Sequence, residues 1–231
     1  MKNVLLGALD WKVPRWRDEY YPEDLPEEWQ LSYYANEFST TLIDVRQYLD
    51  EGSFDELAEA LDGCQELFHP VLRISTNSIA ISQAEGFIRS LAALDPDIGI
   101  HRLAGVCLDH IQNIDDRILW EEWRAVIPSG LPVAIDHPPP DRAGTDEWFL
   151  QHGMNFIWRP QYGYGAAGDN AQHWLAYLDL HQSPRDLAGH IRYFLGTVPQ
   201  DAGAACLVAE LGYDAIDKLH ELSTLLRLIN G

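Results

Sequence analysis

Residues 40–75 read TTLIDVRQYLDEGSFDELAEALDGCQELFHPVLRIS. Residues 40–45 are rich in β-branched and apolar side chains, the composition of a strand. Ser53-Phe54-Asp55-Glu56 has the spacing of a capping box, and Leu57, Leu61 and Cys64 follow at helical intervals. Residues 70–75 (PVLRIS) form a second short apolar run. Strand, helix, strand without a tight hairpin turn is a crossover unit, and crossover units build parallel sheets. The same alternation extends in both directions. Residues 4–9, 103–108, 132–135 and 155–158 are further strand candidates. Ser82-Gln83-Ala84-Glu85 is a second capping box, opening a helix with Phe87, Ile88 and Leu91. Residues 115–127 read as a helix stopped by Pro128 and Gly130, and Ser183-Pro184 caps another. Six strands separated by helical stretches predict an α/β fold, a TIM-like (β/α) barrel with an incomplete or irregular set of strands; a doubly wound open sheet is the alternative. The last third is less regular. Residues 170–180 read as a helix, and residues 204–210 suit either a strand or the start of a helix running to Leu228.

The chain has 231 residues, a length that suits one barrel, and it shows no linker or low-complexity tract, so a single domain is expected over 1–231. With 16 basic against 36 acidic residues the formal charge is −20, which opposes binding to nucleic acid or an anionic membrane. Cys64, Cys107 and Cys206 are far apart and odd in number, which argues against a disulfide framework and a thiolate zinc site. The apolar run at residues 4–9 is too short for a signal-peptide core or a membrane span. A soluble, cytoplasmic protein is the expectation.

The N-terminal segment carries a more specific pattern. Gly7 ends the first strand; Asp10-Trp11, Trp16, Tyr20-Tyr21-Pro22, Leu31-Ser32-Tyr33-Tyr34-Ala35 and Phe38-Ser39-Thr40 follow in order. This resembles the YecE-like family, domain of unknown function 72, over residues 7–44. Phe156-Ile157-Trp158-Arg159 also looks like that family's later strand ending in arginine. The resemblance implies a TIM-like barrel and no particular activity. The chain departs from the pattern: Leu42 and Asp44 stand where the family has a glutamate and then an asparagine around strand two, Ala134-Ile135-Asp136-His137 replaces an arginine-bearing strand, and Pro160-Gln161 replaces a histidine and glycine. It reads as a divergent branch.

Parallel barrels gather functional groups where strands end at their C-terminal side. Those ends carry Asp10 and Trp11, Asp44 and Arg46, Arg73 and Ser75, Asp109 and His110, Asp136 and His137, then Arg159 and Tyr162. Asp109, Asp136 and His137 are the candidate catalytic residues, as acid, base or proton carrier. Trp11, Asp44, Arg46, Arg159 and Tyr162 are the candidates for binding substrate. Three carboxylates near Arg159 alone would require a raised pKa or a neighbouring cation. The two Asp-His pairs also suit a divalent metal, and whether one binds stays open. No cofactor is specified. Gly163-Tyr164-Gly165-Ala166-Ala167-Gly168 fits a dinucleotide fingerprint, but it lies late in the chain, after Trp158, and no clear strand follows at the proper spacing, so a Gly-rich loop explains it better. Trp11, Trp16, Tyr20 and Tyr21 either stack on a ligand or anchor the first loop. A hydrolase or isomerase acting on a small polar, sugar-like or phosphorylated molecule is the leading reading. The alternatives are a non-catalytic barrel holding a ligand or protein partner and, least favoured by the charge, a metal-dependent repair enzyme.

Overall fold

The computed structural model describes residues 3–96, 98–110, 117–137, 148–149, 151–160, 173–199, 203–210 and 215–230. Eight strands lie in one sheet: β1 (Val4–Ala8), β2 (Thr40–Asp44), β3 (Val71–Ser75), β4 (Gly105–Asp109), β5 (Val133–Ile135), β6 (Met154–Phe156), β7 (Leu175–Asp179) and β8 (Ala205–Glu210). Their order is β6-β5-β4-β3-β2-β1-β8-β7, and every neighbouring pair is parallel. The ends of that row meet at Trp158, whose N–H donates to Leu175 O at 3.0 Å while its carbonyl accepts from Tyr177 N at 3.0 Å. The sheet is thereby a nearly closed barrel with one seam. Helices α1 (Trp16–Glu19), α2 (Gln30–Ala35), α3 (Glu51–Asp62), α4 (Ile81–Ala93), α5 (Arg117–Val126), α6 (Pro184–Thr197) and α7 (Ala215–Asn230) occupy the connections. No helix among the described residues is long and apolar enough to cross a membrane.

The TIM-like barrel is present, and among the described residues its sheet has eight strands where the sequence marked six and left residues 204–210 open. Residues 175–179 form β7, not part of a helix; Leu175–Leu178 are buried, as befits a strand covered on both faces. Residues 204–210 resolve in favour of a strand. Neither capping box opens its helix: α3 starts earlier, with Asp50 accepting from Ser53 N at 3.0 Å, and α4 starts after Ala80, whose N–H donates to the Gln83 side chain at 3.0 Å. Ser183 does cap α6. Tyr162, Pro138–Pro140 and the glycine-rich motif at 163–168 lie outside the described residues.

Two apolar clusters follow from strand alternation. Leu5, Leu42, Val71, Cys107, Tyr177 and Val208 belong to the smaller one, which fills the barrel. The larger one packs the intervening strand residues against the helices. Trp16, Tyr20, Tyr21, Tyr33, Tyr34 and Phe38 form a contiguous aromatic group in it, so the N-terminal pattern is largely structural.

Side chains stitch β1 to β2. The Tyr34 hydroxyl accepts from Ala8 N at 2.7 Å and donates to Thr40 O at 2.9 Å. Ser39 Oγ accepts from Leu6 N at 2.9 Å, and Thr41 Oγ1 donates to Ala8 O at 3.0 Å. The Tyr34 hydroxyl thus stands in for a ladder bond between the strands. Burial pushes its pKa well above the ordinary tyrosine value, so it stays protonated and able to donate. Tyr34→Phe should cost about 1–3 kcal/mol, the penalty for leaving a buried backbone donor unpaired. Denaturant melts read the loss directly; a change below about 0.5 kcal/mol would show that the hydroxyl is not replacing a ladder bond.

Candidate functional site

The strands that pack the barrel interior carry polar residues towards or just beyond their C-terminal ends. Asp44 lies two residues beyond Leu42, Arg73 two beyond Val71, Asp109 two beyond Cys107, Asp136 two beyond Ala134, Arg159 two beyond Ile157 and Glu210 two beyond Val208. A period of two keeps each on the inward face of its strand. They make a charged ring at the C-terminal mouth.

Two ion-paired groups compose that ring. In the first, Asp44 accepts from Arg46 Nε at 3.0 Å, Arg46 Nη2 at 2.5 Å and Arg73 Nη2 at 2.8 Å. Asp44 also takes the Arg46 backbone N–H at 3.1 Å. Arg73 Nε lies 3.6 Å from Asp109 Oδ2, an electrostatic contact beyond hydrogen-bond length. In the second, Arg159 Nη2 donates to both Asp136 oxygens, at 2.9 and 3.0 Å, and Arg159 Nη1 pairs with Glu210. The Arg159 guanidinium sits 4.5 Å from the centre of the Tyr177 ring, a cation–π contact. Tyr177 Oη in turn lies 3.4 Å from Cys107 Sγ. Burial raises the pKa of both the Tyr177 hydroxyl and the Cys107 thiol, so neither is an activated nucleophile at neutral pH.

The crowding of carboxylates is resolved differently from the sequence expectation. Burial pushes the Asp44 pKa up, but hydrogen bonds from Arg46 and Arg73 outweigh it and hold the carboxyl at about 2. Three arginines face these carboxylates instead of one.

Within the ring, four buried polar atoms have no hydrogen-bond partner among the described residues: Arg73 Nε, Ser75 Oγ, Asp109 Oδ1 and Arg159 Nε. Ser75 and Asp109 are register partners on β3 and β4, so the two side chains are neighbours. Asp109 therefore has a buried oxygen that no donor among the described residues takes.

Of the residues marked in the sequence, Asp44, Arg46, Asp109, Asp136 and Arg159 are at the mouth. His110, the residue after Asp109, is exposed with a positive φ of 54°, and its Nε2 is 3.8 Å from Asp109 Oδ2. His137 directly follows Asp136 and is half-buried. Trp11 is placed elsewhere: it is only 4% exposed, it packs in the outer core, and its carbonyl accepts from Tyr21 Oη at 2.7 Å. That corrects the expectation of Trp11 at a binding rim. Glu210, Ser75 and Arg73 complete the ring without having been marked as site residues. No group of three or more His, Cys, Asp or Glu among the described residues is arranged to hold a metal ion.

No family model matches the chain, and no curated protein matches its sequence. Solved structures do. A DUF72 family protein of Thermotoga maritima superposes with a TM-score of 0.68 at 16% identity, covering 97% of this chain and 99% of its own. A DUF72 family protein of Enterococcus faecalis V583 gives 0.65 at 12% identity, covering 98% of each chain. D-psicose 3-epimerase, solved in the presence of D-fructose, gives 0.53 at 10% identity, covering 99% of this chain and 98% of its own. At these identities the likeness is one of fold, and over nearly its whole length the chain has the fold of the DUF72 family proteins.

Proposed function

We propose that this chain is a divergent DUF72-like barrel whose C-terminal mouth binds a small polar substrate, with Asp109 as proton acceptor in an isomerase or hydrolase reaction. The observation that carries this is the buried, unpartnered Asp109 Oδ1 beside Ser75 and Arg73. A general base needs an oxygen not already committed to a donor, and no donor among the described residues takes Asp109 Oδ1. Asp136 has both oxygens taken by Arg159, so its role is to hold that guanidinium rather than to serve as the partner acid. Asp44 holds Arg46 and Arg73 in the same way. His137 remains a proton-carrier candidate beside Asp136. The acidic surface and the four mouth carboxylates oppose a phosphate backbone, which disfavours nucleic acid as the partner.

Asp109→Asn removes the acceptor while keeping shape. Turnover of the substrate found by assaying aldoses, ketoses, glycosides and sugar phosphates should fall about 10²–10⁴-fold, the usual contribution of a general base. The melting temperature should stay within a few degrees. Unchanged turnover would remove Asp109 from the chemistry. Altered affinity with no turnover in either protein would favour the non-catalytic, ligand-holding reading.

A further inference from the structure

Resting on the reading of the mouth as a binding site, we infer that its ligand is uncharged and polyhydroxylated, a monosaccharide or sugar alcohol, and not a phosphorylated or carboxylated one. Two independent features point there. The first is charge. Asp44, Asp109, Asp136 and Glu210 face Arg46, Arg73 and Arg159, so the ion-paired groups sum to 3 − 4 = −1. Each arginine is already matched to a carboxylate. A phosphate ester brings a charge of about −1.5 to −2 at neutral pH and would have to compete with those partners.

The second feature is the polarity of the unpartnered atoms. Arg73 Nε and Arg159 Nε only donate; Asp109 Oδ1 accepts; Ser75 Oγ does both. A sugar hydroxyl also donates and accepts, so one hydroxyl can satisfy Asp109 Oδ1 and another atom of the set together. A phosphate dianion offers acceptors alone. It would meet the two Nε–H groups but leave Asp109 Oδ1 unpaired and facing a like charge. Arg73, Asp109, Asp136 and Arg159 fall on or just after four successive strands, which spreads donors and acceptors along an arc instead of focusing donors on one point. That is the layout for several hydroxyls, not for one oxyanion. Asp109 as base then acts on a carbon or hydroxyl of a neutral sugar.

The test uses the full chain and matched pairs. Titration calorimetry would compare D-glucose, D-fructose and D-mannitol with D-glucose 6-phosphate, D-fructose 6-phosphate and inorganic phosphate. At least one neutral compound should bind at least tenfold more tightly than its phosphate ester. Ser75→Ala should weaken that binding tenfold or more while leaving the melting temperature unchanged or raised, because it deletes a buried hydroxyl that has no partner among the described residues. A lowered melting temperature with unchanged affinity would instead assign Ser75 a structural role and overturn the proposal. Tighter binding of the phosphate ester, weakened by Ser75→Ala, would overturn the ligand class while leaving the mouth as the site. Neutral-sugar binding indifferent to both Ser75→Ala and Asp109→Asn would remove the mouth itself. No binding by any compound at millimolar concentration would mean that water satisfies these atoms, and the ligand class would fall, with the Asp109→Asn turnover assay still deciding the reaction.

Discussion

Gly7→Ala should lower stability by more than about 4 kcal/mol, or leave no soluble folded protein, far beyond the typical cost of a point substitution. Gly7 pairs with Thr40 of β2 on one side and Val208 of β8 on the other, so it is locked between two strands. A Cβ there would lie 1.7 Å from Thr40 O, 2.6 Å from Thr40 C and 2.7 Å from Tyr34 Oη. The first two are backbone atoms and have no rotamer to move to. The strands would have to part, breaking the Tyr34 bridge from Ala8 N to Thr40 O at the same time. Gly86→Ala is the matched control. It lies inside α4 with nothing within 4 Å of the added carbon, so it should stabilise by up to about 1 kcal/mol through helix propensity. Denaturant titration of both variants checks the contrast. A Gly7→Ala protein within about 1 kcal/mol of the parent would show that β1 and β2 can separate cheaply.

Gly7 also shows why part of the fold was legible. The residues that carry the family resemblance are those that join β1 to β2: Gly7 for the close approach, Tyr34 and Ser39 for the substitute hydrogen bonds, Trp16 and Tyr21 for the aromatic packing beneath them. A geometry this demanding restricts residue types, and restricted types can be read. β7 was not legible for the opposite reason. Its residues are apolar on both faces, so the alternation that marks a strand is erased, and the spacing of Trp174, Leu175 and Leu178 imitates a helix.

The site divides the same way. Asp44, Asp109, Asp136 and Arg159 were marked because the end of an apolar run can be located by eye. Glu210 ends the run at residues 204–210, which periodicity alone left unassigned, so it escaped notice. Arg73 interrupts β3 and is visible in sequence, but its tie to Asp44, 29 residues earlier, exists only once β2 and β3 pair. Pairing decides which charges neutralise each other, and it is what turned an expected crowd of carboxylates into two arginine-centred groups.

Arg102→Met should cost about 3–5 kcal/mol, although Arg102 touches no carboxylate among the described residues and carries no sequence signal. Its side chain is buried, with 6% of the residue exposed, just before β4. Nε donates to Phe68 O at 3.0 Å, Nη1 to Leu61 O at 2.9 Å, and Nη2 to Cys64 O at 2.8 Å and to Gln65 O. Leu61 is in the last turn of α3, and the other carbonyls belong to the chain leaving it towards β3. A helix C-terminus leaves carbonyls unpaired and concentrates partial negative charge, so a cation there is stabilised by both effects. The guanidinium fork meets all four acceptors at once, and its charge is balanced by carbonyl dipoles instead of an acid. Any residue can supply a carbonyl, which is why no motif announces the site. Methionine keeps the aliphatic stem and removes every donor, so the loss measures unpaired buried carbonyls rather than a cavity. Arg102→Lys, with a point charge that cannot span the four acceptors, should fall between parent and methionine variant. Thermal melts should register the Met variant about 6–20 °C below the parent, given about 2–4 °C per kcal/mol at this chain length. A Met variant as stable as the parent would mean that water serves those carbonyls equally well and that the α3 terminus needs no cation.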